Sequence, residues 1–322
     1  MRGINISGAE FGSLSGEINR DYVYPSKETI AYFASRGFNT VRLAFSWERL
    51  QPVLGKRLDR DELGYLKEAV ELIRAHKMRV ILDPHNYARY RGDIVGSKEV
   101  PHSAFADFWA RLASVYSNQH DVIFGLMNEP NRMPIDQWLE AANAATAAIR
   151  KKGANNLILV PGTAWSGAHS WMASIDGEPN GVVMARFNDP ARNFAFEVHQ
   201  YLDEDFSGTK GECSRADDAV AALKNFTAWL KEHGFRGFLG EFGAPGGKQR
   251  CIDGIRDMVE VIEDNKEVWT GWAYWVAGDW WPESEALNIQ PTEKGDRPML
   301  AALQPALRDF SAEGRKCPSL DQ

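Results

Sequence analysis

The stretch "VIFGLMNEPN", Val122–Asn131, decides how the rest of the chain is read. A short apolar run of this kind lies inside a sheet, yet it stops at an amide, a carboxyl group and a proline. Proline ends a strand because it has no N–H to donate. Asn128 and Glu129 therefore stand at a strand's C-terminal end, where the chain leaves the sheet.

The same rhythm runs outward from this point in both directions. Short apolar runs, Gly3–Ser7, Phe38–Phe45, Arg79–His85, Asn156–Gly162, Asn193–Tyr201, Phe235–Gly243 and Val268–Gly278, alternate with amphipathic stretches such as Asp61–Lys77, Ser103–Ser117 and Asp217–Gly234. The stretches repeat apolar residues every third or fourth position, which predicts helices. The runs are almost continuously apolar, which predicts strands covered on both faces, as in a parallel sheet under helices. Eight such units in about 310 residues predict an α/β fold of the (β/α)8 TIM-barrel type. A doubly wound open sheet is the competitor, but no GxGxxG loop follows the first run. Thr163–Arg192 reads as one elaborate loop. No linker divides the chain, so residues 1–322 are expected to form one catalytic domain, with 311–322 a tail.

Composition removes several classes of function. A formal net charge of −7, with no large basic cluster, argues against nucleic acid and against an anionic membrane surface. No run approaches the length of a membrane span. The opening "MRGINISGAEFGS" shows no leader, so the chain is read as intracellular or as having lost one. Cys213, Cys251 and Cys317 form no CxxC. They allow one disulfide and a free thiol, or three thiols.

A barrel gathers the C-terminal ends of its strands at one rim. There the sequence places Arg42, His85 and Asn86, Asn128 and Glu129, His199 and Tyr201, Glu241 and Trp275. Glu129 taken alone can be a loop carboxylate paired with an arginine, and each histidine can be structural. Their convergence is the signal. Two carboxyl groups in a cleft are the equipment of glycoside hydrolysis, one protonated to help the leaving oxygen and one ionised to attack or to activate water. Asn128 suits a hydroxyl beside the reacting carbon, Tyr201 can donate to the ionised acid, and Arg42 can hold it charged. Tryptophan faces stack on sugar rings. Trp47, Trp165, Trp171, Trp275, Trp280 and Trp281 lie near strand ends and are the expected sugar platforms; Trp109, Trp138 and Trp229 sit in helical repeats and belong to packing. No HExxH, paired HxH or GxSxG occurs, and His76, His102, His120, His169 and His233 have no ligand spacing, so neither a metal nor a serine nucleophile is expected.

Taken in order, Arg42, His85–Asn86, Asn128–Glu129–Pro130, His199-x-Tyr201, Glu241 and Trp275 resemble the pattern of glycoside hydrolase family 5, in particular its secreted microbial endo-β-1,4-glucanases. The resemblance spans roughly Arg2–Phe310. It implies a retaining double displacement without a cofactor, with Glu129 as acid/base and Glu241 as nucleophile. It implies an endo-acting enzyme on cellulose or related β-glucans, working as a monomer, with mannan, xyloglucan or mixed-linkage glucan as alternatives. A sugar-binding barrel without turnover is the reading from another class, and the paired acids argue against it. "FEVHQYLDEDFSGTKGEC" and "QRCIDGI" resemble a subgroup of fungal and bacterial cellulases, and this implies a Cys213–Cys251 disulfide with Cys317 left over. That bond in turn implies a secreted protein whose signal peptide is absent from this chain.

Overall fold

The apolar runs become the strands of a closed parallel barrel: β1 (Arg2–Ala9), β2 (Thr40–Phe45), β3 (Arg79–Pro84), β4 (Val122–Gly125), β5 (Ile158–Pro161), β6 (Phe194–His199), β7 (Gly237–Glu241) and β8 (Trp269–Ala277). β8 pairs back onto β1 and closes the ring. The structure is a computed structural model that describes residues 1–312. Seven outer helices of two turns or more follow the strands: α1 (Lys27–Ser35), α2 (Arg60–Ala75), α3 (His102–Tyr116), α4 (Ile135–Lys151), then, after a single turn α5 (Asn180–Val183), α6 (Ala216–His233), α7 (Gln249–Glu263) and α8 (Leu300–Ala312). The fold is thus the (β/α)8 barrel that the alternating pattern predicts. α8 runs two residues into the expected tail; the rest of that tail, with Cys317, lies outside the described residues.

Local chemistry explains where elements begin and end. The Ser26 hydroxyl accepts from the Thr29 amide and starts α1; the Asp59 carboxylate accepts from Asp61 and Glu62 and starts α2. α6 stops at Gly234, whose φ of 67° is open to glycine at little steric cost. Between β5 and α5 the chain makes a tight turn, Ala164–Ser166, with all three residues left-handed.

Side chains alternate along each strand. The outward set, including Val41, Leu43, Val80, Leu82 and Leu239, joins the helices in the main core. The inward set begins with an apolar floor of Ile81, Ile123, Leu159, Ala195, Phe238 and Ala273. Two residues further along β3 and β6, Asp83 and Glu197 take the place of apolar side chains, and both pair with Arg42 of β2. Two further still stand His85 and His199. The register shifts between Val198 and His199, which sets His199 opposite Glu241.

Candidate active site

Glu129 has a left-handed backbone, with φ of 43°. Non-glycine residues rarely adopt this conformation, and where it persists the surroundings hold it. Here Pro130 follows, and the Asn131 side-chain amide donates to the Glu129 carbonyl at 2.8 Å. The strand is stopped so that the carboxyl group turns over the barrel mouth. That answers why an amide, an acid and a proline end an apolar run.

Glu241 ends β7 and is gripped from two sides. Tyr201 donates its hydroxyl to Oε2 at 2.8 Å, and Arg42 Nη1 donates to Oε1 at 2.9 Å. Arg42 is fully buried and spreads its charge over several acceptors. Nη1 also reaches Asn5 Oδ1 at 3.0 Å and pairs with Asp83 Oδ2 at 3.0 Å; Nη2 donates to Asn128 Oδ1 at 2.9 Å; Nε pairs with Glu197 Oε1 at 2.9 Å. This meets the requirement that a buried charge be paired. Because the Asn128 oxygen accepts from Arg42, its amide nitrogen is the one that donates to His85 Nε2 at 3.0 Å. His85 Nδ1 then donates to Asp83 Oδ2 at 2.8 Å. The His85 ring stacks on Trp275, with centroids 5.5 Å apart.

His199 joins the two glutamates. Its Nδ1 lies 2.8 Å from Glu129 Oε1 and 3.6 Å from Glu241 Oε2, and an oxygen of each carboxylate and a His199 nitrogen all fall within 4.8 Å of one another. Two carboxyl groups about 5–5.5 Å apart suit a retaining hydrolase, whereas an inverting one leaves ~6.5–9.5 Å for water. The two acids sit in opposed electrostatic settings. Burial first, then the charge of Glu241, raises the Glu129 carboxyl above its ordinary range, against the opposing hydrogen bond from His199. Burial also acts to raise Glu241, but the charges of His199 and Arg42 oppose it, and that carboxyl is held below the ordinary range. His199 is pushed up to about 10: burial disfavours its charge, but Glu241, Glu129 and Glu197 outweigh burial. These three groups have the spacing of a metal site, where an ion would have to displace the proton that His199 holds between the two carboxyl groups.

The other expected residues divide. Asn86 stands beside the centre and ties the turn after β2, accepting from the Trp47 amide at 2.8 Å and donating to Glu48. Trp275, Trp280 and Trp281 are half-buried at the β8 rim, with Trp280 stacked on Phe11 at 5.3 Å. Trp165 is 42% exposed, and its amide donates to Pro130 O at 3.1 Å, next to Glu129. Trp47 and Trp171 are corrections. Trp47 is 0% exposed among Tyr90, Phe105 and Phe108, and Trp171 is 1% exposed among Phe196, Phe226 and Trp229. Both follow strand ends, but their loops fold back over the outside of the barrel, so neither ring can meet a sugar. Trp109, Trp138 and Trp229 pack as expected. Cys213 and Cys251 are bonded at 2.06 Å, joining the loop after β6 to the first turn of α7.

Sequence reading missed Asn5, Asp83 and Glu197. The last two left a signal: each interrupts an apolar strand two residues before a rim histidine, hence on the same inward face.

Comparison with known proteins bears on this site. The model of a family described as Cellulase (glycosyl hydrolase family 5) matches residues 4–278. Endo-β-1,4-glucanase A of Emericella nidulans is 38% identical over 295 residues, covering 90% of this chain and 86% of the relative. The crystal structure of an endo-β-1,4-glucanase from Xanthomonas axonopodis pv. citri is 46% identical, with a TM-score of 0.93 and coverage of 96% of this chain and 98% of that one. XacCel5A, solved in complex with cellopentaose, is 45% identical with a TM-score of 0.91, covering 94% and 97%.

Proposed function

This chain belongs to the cellulase family, glycosyl hydrolase family 5, and from that premise we infer that it is an endo-β-1,4-glucanase in which Glu129 moves the proton and Glu241 attacks. The observation that carries the assignment of roles is the difference in partners between two carboxyl groups bridged by one imidazole: Arg42 and Tyr201 grip Glu241, while Glu129 accepts from His199.

In the first step a Glu241 oxygen attacks the anomeric carbon as the glycosidic bond breaks, and the Glu129 proton passes to the departing oxygen. Tyr201 and Arg42 keep the attacking carboxylate ionised and aimed. Asn128 has given one amide hydrogen to His85, which leaves the other for the hydroxyl beside the reacting carbon. In the second step Glu129, now ionised, takes a proton from water; the water oxygen bonds to the anomeric carbon and the Glu241 ester breaks. Two inversions give retention. No cofactor is called on.

Trp165 beyond β5 and Trp275, Trp280 and Trp281 at β8, three strands apart in the ring, are read as sugar platforms flanking the scissile bond. Platforms on both sides suit internal cleavage. Cellulose-type glucan is the favoured substrate over mannan, xyloglucan or mixed-linkage glucan. The site is complete within one chain, so residues 1–322 are read as one catalytic unit acting as a monomer. The Cys213–Cys251 bond fits an oxidising, extracellular setting; among the described residues no helix is long and apolar enough to cross a membrane.

The test is product analysis on soluble cellulose derivatives, mixed-linkage glucan, xyloglucan and mannan, with Glu241→Gln as control. A rapid fall in chain length on β-1,4-glucan, absent in the variant, is expected. Release of single sugars from chain ends, or a fully active Glu241→Gln protein, would overturn the reading.

A further inference from the structure

Glu197 lies below the catalytic pair, its side chain 1% exposed and out of reach of any sugar. Its Oε1 is 2.9 Å from Arg42 Nε and 3.4 Å from His199 Nε2. Arg42 grips Glu241, while His199 grips Glu129. One buried carboxylate therefore faces both cations on which the two active acids depend. The barrel makes room for it. A methyl group at Gly240 would come within 2.1 Å of Glu197 Oε1 and within 2.8 Å of its Cγ, so the glycine that precedes Glu241 is what admits this carboxylate. A methyl group at Gly125 would meet Glu197 Oε2 at 3.8 Å, an ordinary contact.

We propose that Glu197 is a positioning residue that holds His199 protonated between the two catalytic glutamates and so sets the pH range in which both are correctly ionised. This rests on the roles given to Glu129 and Glu241 above. The groups that share the space are Arg42 from β2, Asp83 on β3 and His85 just after it, Glu129 after β4, Tyr201 after β6 and Glu241 on β7, with Glu10 and Tyr87 further out. Asp83 supplies the matching counter-charge on the other flank of Arg42, but it faces His85 and leaves His199 to Glu197.

The electrostatic sign is the same for every neighbour. Removing a buried negative charge destabilises the imidazolium and stabilises both carboxylates, so all three titrations move to lower pH. In full-length Glu197→Gln, the His199 imidazole followed by NMR is expected to titrate about one pH unit lower or more, a tenfold change in its ionisation ratio. The bell-shaped kcat/KM profile on cellotetraose moves to lower pH as a whole. Glu197→Asp keeps the charge but draws it back by one methylene, and gives a smaller displacement in the same direction; it carries the test if the glutamine variant does not fold. A His199 titration that stays in place, or a bell that shrinks without moving, overturns the proposal. The NMR titration needs no turnover, so a wrong assignment of Glu129 or Glu241 would show in the kinetics and leave it intact.

Discussion

Glu129→Gln separates proton delivery from everything else the residue does. The amide keeps the shape of the carboxyl group, and its oxygen still accepts from His199 Nδ1, as Oε1 does at 2.8 Å. The proton that passes to the leaving oxygen is lost. General acid–base catalysis is worth about 10²–10⁴-fold, or ~2.7–5.5 kcal/mol of barrier. The upper half of that range is expected here, because the carboxyl side chain is only 16% exposed and water cannot readily take its place. The assay compares cellotetraose with an aryl cellobioside whose phenol leaves without help. On cellotetraose kcat/KM should fall by about 10³–10⁴-fold. On the aryl substrate a burst of phenol should survive, followed by slow turnover, since the second step lacks its base. Azide needs no base and should speed that turnover, giving a glycosyl azide of retained configuration. An equal loss on both substrates would mean that another group supplies the proton.

The pH profile tests the opposed ionisations directly. Glu241 is held low and must be charged, so kcat/KM rises as pH climbs through its depressed pKa; Glu129 is held high and must be protonated, so activity falls as pH climbs through its raised pKa. The two limbs should straddle the ordinary glutamate value of about 4.3, and finding both on one side of it would refute the assignment. Trp165→Ala should raise KM about 2–12-fold, from ~0.5–1.5 kcal/mol of ring stacking, without changing the unfolding midpoint. Trp171→Ala should do the reverse, costing about 3–5 kcal/mol in chemical denaturation while KM holds; a KM effect there would reinstate it as a platform. The Cys213–Cys251 bond spans a separation of 38 residues, which the chain-entropy model converts to about 4 kcal/mol. Reduction should lower the denaturation midpoint, and an unchanged midpoint would show that the loop is held by other contacts.

Much of this protein is legible along the chain because the signals are local. Apolar periodicity separates strands from helices, and Pro130 and Gly234 mark where elements stop. Polar residues at strand ends mark the rim. Asp83 and Glu197 give no signal at the strand ends, because they lie inside their strands, although each shares an inward face with a rim histidine. Trp47 and Trp171 depart from the expectation for a different reason. Each has a serine beside it a short way beyond a strand end, as Trp165 does, and only the path of each loop decides whether the ring meets solvent or the outer core.

The sequence by itself determined the order of strands and helices, the chemical types at the rim and the alternation that sends every second side chain inward. It did so because each depends on neighbours a few residues away. Only the closed barrel decided that an oxygen of Glu129 and one of Glu241 fall within 4.8 Å of each other, with His199 between them and Arg42 beneath. Separation along a chain carries no information about distance until parallel pairing fixes the register. The opposite ionisation of two identical carboxyl groups arises from that packing alone.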